Sequence, residues 1–272
     1  MNSNTIIPEI LKTAHVIKSA HLKRSVEFEL FLPGNLLGNE ELNLLLLNDG
    51  QDSASLRVQE SLSDLYFTGK TGAIALVAIK ASDDRLQEYG VIGQPDFLGR
   101  GSKAAAYNTF VVEELLPLVH QLIDFPINGA RGFAGFSLGG LSAFDITWNN
   151  SHLFDVTGVM SGSFWWRKKD LKDGYTDADR IMHQVISAAG EKPKLKFWLM
   201  TGTEDEKADR NKNYIIDSID DTIDIIKELL IKGYKRPDDI FYYEMVGGEH
   251  NVNTWSKAFP AFLKWAFPPK RV

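Results

Sequence analysis

The sequence has no cysteine, which removes disulfides, thiolate metal ligands and a cysteine nucleophile together. That fits a reducing compartment, although a large core needs no disulfides anywhere. Long apolar runs are missing as well. Residues 42–47, which include one asparagine, and 73–79 fall far short of the roughly 20 residues that a membrane span requires. Residues 1–11 lack the charged-then-apolar design of a signal peptide. These absences predict a soluble, cytoplasmic protein with no membrane partner. Basic runs are absent too, and 36 acidic residues outnumber 30 basic ones for a formal net charge of −6. Such a chain offers little to a phosphate backbone, so nucleic acid is not an expected partner. No HExxH or clustered His/Asp pattern points to a metal, and no cofactor is expected. The sequence is silent on oligomeric state.

What is present is a chain of 272 residues, 44% hydrophobic and 24% charged. That is enough for a sizeable core in one globular α/β domain spanning 1–272. No repeat, low-complexity tract or Pro/Ser-rich linker divides it. Strands are predicted over 16–20, 25–32, 42–47, 73–79, 132–134, 156–160, 197–200 and 240–246, and helices over 109–123, 138–148, 213–231 and 254–267. Pro117 is expected to kink the first helix. The continuously apolar runs suit strands covered on both faces, and strands alternating with helices imply a mostly parallel central sheet with helices on either side. Residues 167–194 read as an irregular insertion over one sheet edge.

Gly135-Phe136-Ser137-Leu138-Gly139 matches G-x-S-x-G, a strand-to-helix turn that holds a serine nucleophile in strained backbone. A chance match occurs in roughly one chain in ten of this length, so the motif alone is weak. Its setting strengthens it: an apolar strand precedes it and a helix with Leu141, Phe144 and Ile146 follows. The plainer alternative is a serine that caps a helix.

A serine needs an adjacent base, and the fold that carries this elbow places its acid and then its histidine after later strands. Of six histidines, only His250 follows the last predicted strand, in the loop Gly247-Gly248-Glu249-His250. A helix-start histidine in a polar loop is the other reading. The preceding strand runs into Glu204-Asp205-Glu206, where a carboxylate would orient the imidazole, unless the three are simply solvated. A short Asp205 side chain is held more rigidly than a glutamate. An Asp205 oxygen is therefore expected within hydrogen-bond reach of His250 Nδ1, with Glu204 as the fallback. Oxyanion donors are expected from the backbone of Leu138 and, after the strand over 42–47, from Gln51. An ordinary Asn-Asp-Gly turn explains the latter loop equally well.

Taken together, the residues resemble the putative-esterase branch of the α/β hydrolases, which includes esterase D, feruloyl esterases, enterobactin-type siderophore esterases and mycolyltransferases. The likeness runs from about Phe31 to Phe267 and rests on several pieces. They are Asp49-Gly50-Gln51, Asp84-Arg85 with Glu88-Tyr89, Tyr107 with Glu113-Glu114-Leu115-Leu116-Pro117, Gly135–Gly140, Ser161-Gly162-Ser163 with Trp165-Trp166, Gly202-Thr203-Glu204-Asp205, and Gly247-Gly248-Glu249-His250. One departure is Gly-Gly-Glu-His, where many members have Gly-Gly-His. The resemblance implies an α/β-hydrolase fold and a serine carboxylic-ester hydrolase with a Ser137-His250-Asp205 triad, an acyl-enzyme and a small-molecule ester substrate. An acyltransferase on the same triad, or a non-catalytic binding module, are the alternatives. Trp165 and Trp166 could wall the cleft, or one of them could belong to the core. Arg85, Arg100 and Lys103 could draw an anionic substrate, or could simply be solvated.

Overall fold

The computed structural model describes residues 9–36 and 40–270. The first eight residues of the stretch read for a leader, and of the 1–272 unit, therefore lie outside the described residues.

Among the described residues, eight strands form one sheet: β1 (Ile10–Ser19), β2 (Arg24–Pro33), β3 (Leu42–Leu47), β4 (Ala73–Ile79), β5 (Arg131–Phe136), β6 (Val156–Met160), β7 (Lys196–Glu204) and β8 (Ile240–Glu249). Their spatial order is β1-β2-β4-β3-β5-β6-β7-β8. β1 and β2 form an antiparallel hairpin whose β2 edge pairs antiparallel with β4, while all pairs from β4 to β8 are parallel. β3 and β4 are buried at every residue, as expected of strands covered on both faces.

The helices are α1 (Val58–Phe67), α2 (Arg85–Glu88), α3 (Ala104–Thr109), α4 (Leu116–Leu122), α5 (Leu138–Asn149), α6 (Ile181–Ala188), α7 (Asp217–Ile231) and α8 (Val252–Ala266). The period-2 alternation of a strand divides the core. Leu44 and Leu46 join the cluster that holds Leu141, Phe144 and Leu229, while Leu45 and Leu47 join the one that holds Leu62, Phe259 and Phe262. Thus α1 and α8 cover one face of the sheet, and α5 and α7 the other. No helix among the described residues is long and apolar enough to cross a membrane.

Three departures from the predicted elements have local causes. The helix predicted over 109–123 is α3 and α4 joined by a π-helical turn, Phe110–Leu115. Pro117 sits in the first turn of α4, directly after the π-helical turn. The helix predicted from residue 213 begins at Asp217, because Asp209 and Asn213 side chains take the N–H groups of Asn213, Tyr214 and Ile215 and compete with helical pairing. Within 167–194, α6 buries Ile181, Met182 and Ile186, so that stretch contains a packed helix.

Candidate active site

The candidate side chains sit at the carboxyl ends of neighbouring parallel strands, where ligands gather in open α/β sheets. Ser137 follows β5 directly, at φ 54° and ψ −127°, a conformation that costs energy for any residue with a Cβ. Its N–H donates to the Met160 carbonyl at 2.9 Å, which ties the elbow to β6. A Cβ on Gly135 would come within 2.5 Å of the Gly139 carbonyl carbon, so the spacing of glycines around the serine is set by main-chain contact. Leu138 opens α5, so its N–H has no intrahelical acceptor.

Acid and base positions are adjacent for an equally local reason. β7 and β8 continue together until Glu204 pairs with Glu249, beyond an irregularity between Gly202 and Glu204. Asp205 and His250 are the next residue on each strand. Glu249 of Gly-Gly-Glu-His is the last paired residue of β8. Ser137, Trp165, Asp205 and His250 line a common cleft of about 340 Å³. Glu204, the fallback acid, is exposed and is not among the residues lining the cleft.

The expected Asp205–His250 hydrogen bond is not formed: Nδ1 lies 4.0 Å from Oδ1. Both carboxylate oxygens have other partners. Oδ1 accepts from Ser161 Oγ at 2.9 Å and Oδ2 from the Gly202 N–H at 3.1 Å. Ser161 Oγ in turn accepts from Trp255 Nε1 at 2.9 Å, and Trp255 meets the His250 ring edge to face. Ser137 Oγ lies 3.5 Å from Ser163 Oγ. Burial disfavours charge on both members of the pair: it raises the Asp205 carboxyl against the hydrogen bonds from Gly202 and Ser161, and it lowers the His250 imidazole. The carboxylate pulls His250 the other way, and the nearby Arg85 adds to the lowering.

The loop after β3 is fastened more tightly. Asn48 Nδ2 donates to the Gly139 carbonyl at 2.8 Å, and Tyr107 OH donates to Asn48 Oδ1 at 2.6 Å. Asp49, in left-handed backbone at φ 59°, takes a two-pronged ion pair from Arg85 at 2.6 and 2.8 Å, and its N–H meets Tyr89 OH at 3.3 Å. Gln51 follows, but its side chain is exposed and accepts from the Ala81 N–H at 3.0 Å. The part of Gln51 suited to an oxyanion is therefore its backbone N–H, in the first turn of the short 3₁₀ helix Gly50–Asp52.

The tryptophan pair divides. Trp165 is half-buried and lines the cleft. Trp166, expected as a possible cleft wall, is a core residue instead. It is 0% exposed, its Nε1 donates to the Gln94 carbonyl, and its ring fills the space that a Cβ on Gly90 or Gly101 would need. Each cation considered for anion binding already holds a carboxylate: Arg85 with Asp49, Arg100 with Asp96, and Lys103 with Asp84. Sequence reasoning assigned no role to Asn48, Tyr89, Tyr107 or Ser161. Tyr89, Tyr107 and Ser161 were visible as motif positions, but only the fold puts them against the loop after β3, Asn48 and the Asp205 carboxylate. Among the described residues, no group of three His, Cys, Asp or Glu side chains is arranged to hold a metal.

With this geometry in hand, known proteins can be compared. Residues 19–266 match the family described as Putative esterase. The iron(III) enterobactin esterase of Escherichia coli is 29% identical over 185 residues, which are 67% of this chain and 44% of that protein. The chain thus spans less than half the length of that relative. The enterochelin esterase of Shigella flexneri superposes with a TM-score of 0.73 at 24% identity, over 96% of this chain and 59% of that one. A siderophore hydrolase from Aspergillus nidulans does so at 0.70 and 16%, over 99% and 100%. These likenesses give the architecture its name, the α/β-hydrolase fold. The family match extends from the end of β1 to the end of α8, taking in the elbow and the ends of β7 and β8, and the chain belongs to the Putative esterase family.

Proposed function

We propose that the chain is a serine carboxylic-ester hydrolase that works through Ser137, His250 and Asp205 and an acyl-enzyme. The observation that carries this reading is the strained Ser137 backbone at φ 54°, at a strand-to-helix turn in a cleft shared with His250 and Asp205. In the first half-reaction Ser137 Oγ attacks the ester carbonyl carbon while its proton passes to His250 Nε2. The tetrahedral oxyanion is met by the N–H groups of Leu138 and Gln51. Its collapse breaks the ester C–O bond, and the imidazolium protonates the departing alcohol. Water then repeats the sequence on the acyl-enzyme, giving up a proton to His250 and releasing the acid and free Ser137. Asp205 orients the imidazole and stabilises its charged form. The 4.0 Å separation is consistent with a contact that tightens when substrate closes the cleft, since catalytic hydrogen bonds in unliganded enzymes are commonly long.

The proposal supports a small-molecule ester as substrate. Siderophore and ferulic acid esters are the first compounds to assay, because proteins of similar structure carry those names. The test is covalent labelling. A fluorophosphonate should add once to the purified protein, and peptide mapping should put the adduct on Ser137. Labelling of Ser137→Ala as fast as wild type would overturn the assignment.

A further inference from the structure

Beyond His250 the cleft has a wall that ester hydrolysis does not use. Glu206 and Ser218 line the same cavity as Ser137. Ser218 is 8% exposed, and its Oγ has no hydrogen-bond partner among the described residues. Glu206 receives the Ser218 backbone N–H, which fits a carboxylate at the start of α7. Burial raises the Glu206 carboxyl, with Asp217, Asp221 and Asp205 adding to the effect. Asp217 and Asp221 are ion-paired with Arg210, and Asp221 also with Arg180, whereas Glu206 forms no ion pair among the described residues. The candidate cations Arg85, Arg100 and Lys103 are each paired elsewhere. An unpartnered hydroxyl and a carboxylate without an ion pair, side by side in the cleft, can both accept hydrogen bonds from a cation. An ammonium carries three donors and no acceptor.

We propose that Glu206 and Ser218 form a specificity pocket beside the nucleophile that receives a protonated amine carried by the substrate and disfavours anionic substrates. This rests on the assignment of Ser137 as nucleophile. The remaining reading of Glu206 is structural, as a carboxylate that satisfies the start of α7. A glutamine retains the acceptor oxygen needed there while removing the charge, so Glu206→Gln separates the two roles.

Arylboronic acids make the test independent of the unknown ester. Ser137 Oγ donates a lone pair to boron to form a B–O bond, its proton passes to His250, and nothing leaves. The inhibition constants to compare are those of phenylboronic acid and of its aminomethyl, hydroxymethyl and carboxy derivatives, each in meta and para forms. With wild type, the better aminomethyl isomer should bind at least about tenfold tighter than phenylboronic acid, and the carboxy isomers about tenfold weaker, as expected for gain or loss of a charge-assisted hydrogen bond. In Glu206→Gln the aminomethyl advantage should shrink to about twofold while phenylboronic acid binds as before. Ser218→Ala should remove part of the advantage. Three outcomes overturn the pocket: no preference for the amine, a hydroxymethyl compound that binds as tightly, or a preference that survives Glu206→Gln. Failure of every boronic acid, together with absence of fluorophosphonate labelling, would instead remove the nucleophile assignment, and this pocket with it.

Discussion

The two sides of Ser137, the proposed nucleophile, are held in opposite ways. On the oxyanion side, Asn48, Asp49, Tyr89, Tyr107 and Arg85 form a mostly buried network that ties the loop after β3 to the first turn of α5. On the other side, His250 has a 40% exposed side chain at the end of β8, just after Gly247 at φ 69°, and stands 4.0 Å from its carboxylate. The donors that meet developing negative charge must be positioned before reaction, because electrostatic stabilisation depends on that preorganisation. The base has to approach serine and leaving group in turn, so some freedom at the imidazole is compatible with its task. On the proposed mechanism, the site is fastened where charge would accumulate and looser where protons would move.

The largest test of that contrast is on the loose side. Asp205→Asn should reduce turnover by about 10³–10⁴-fold, since the imidazole loses its tautomeric bias and its counter-charge. Its melting temperature should stay near wild type, because an asparagine can still accept from the Gly202 N–H. Glu204→Gln should be almost silent. A reversal of the two turnover results would transfer the orienting role to Glu204. A smaller effect is expected on the rigid side. Tyr107→Phe strands the buried Asn48 Oδ1, which should cost about 1–3 kcal/mol of stability. It should also lower kcat by about tenfold with KM little changed. A fall in stability with kcat untouched would mean that the network supports the fold alone. The smallest effect is read in pH. His250 acts as base only when neutral, and burial lowers it from 6.5, so turnover should rise with pH through a midpoint below 6.5 and be level by pH 7–8. A midpoint above 7 would contradict the desolvated imidazole.

Much of this was readable from residues alone, and the pattern of what was missed is physical. β3, β4 and β6 end where the apolar runs end, because strands buried on both faces are mostly apolar, and the polar residues they do hold, Asn43 and Thr157, are hydrogen-bonded. The elbow was legible because its glycines answer a steric demand local in sequence. α1 was missed because its buried apolar residues, Val58, Leu62 and Leu65, form a narrow stripe in a polar segment. The strands β7 and β8 were predicted too short, since their last residues pair only with each other, and no property of either segment alone reports that. Trp165 and Trp166 are identical in type and adjacent, so only packing could distinguish the cleft residue from the core residue. The Asn48–Tyr107 contact joins residues 59 positions apart, and its parts have no individual signature.

The crowding around the elbow also has a genetic meaning. The space a side chain would need at Gly135 is occupied by main-chain atoms of Gly139 and Gly140, which every amino acid brings with it. No second substitution can therefore remove the obstruction, and an alanine at Gly135 should have no local suppressor. At Gly139 the obstructing atom belongs to a side chain, the Asp49 carboxylate. A revertant could in principle arise by shortening Asp49, but it would release Arg85 from its only carboxylate partner among the described residues. Of the two glycines that flank the serine, one is fixed by the backbone itself, and the other by side-chain atoms of Asp49 and Asn48, of which the nearer residue has its own reason to remain.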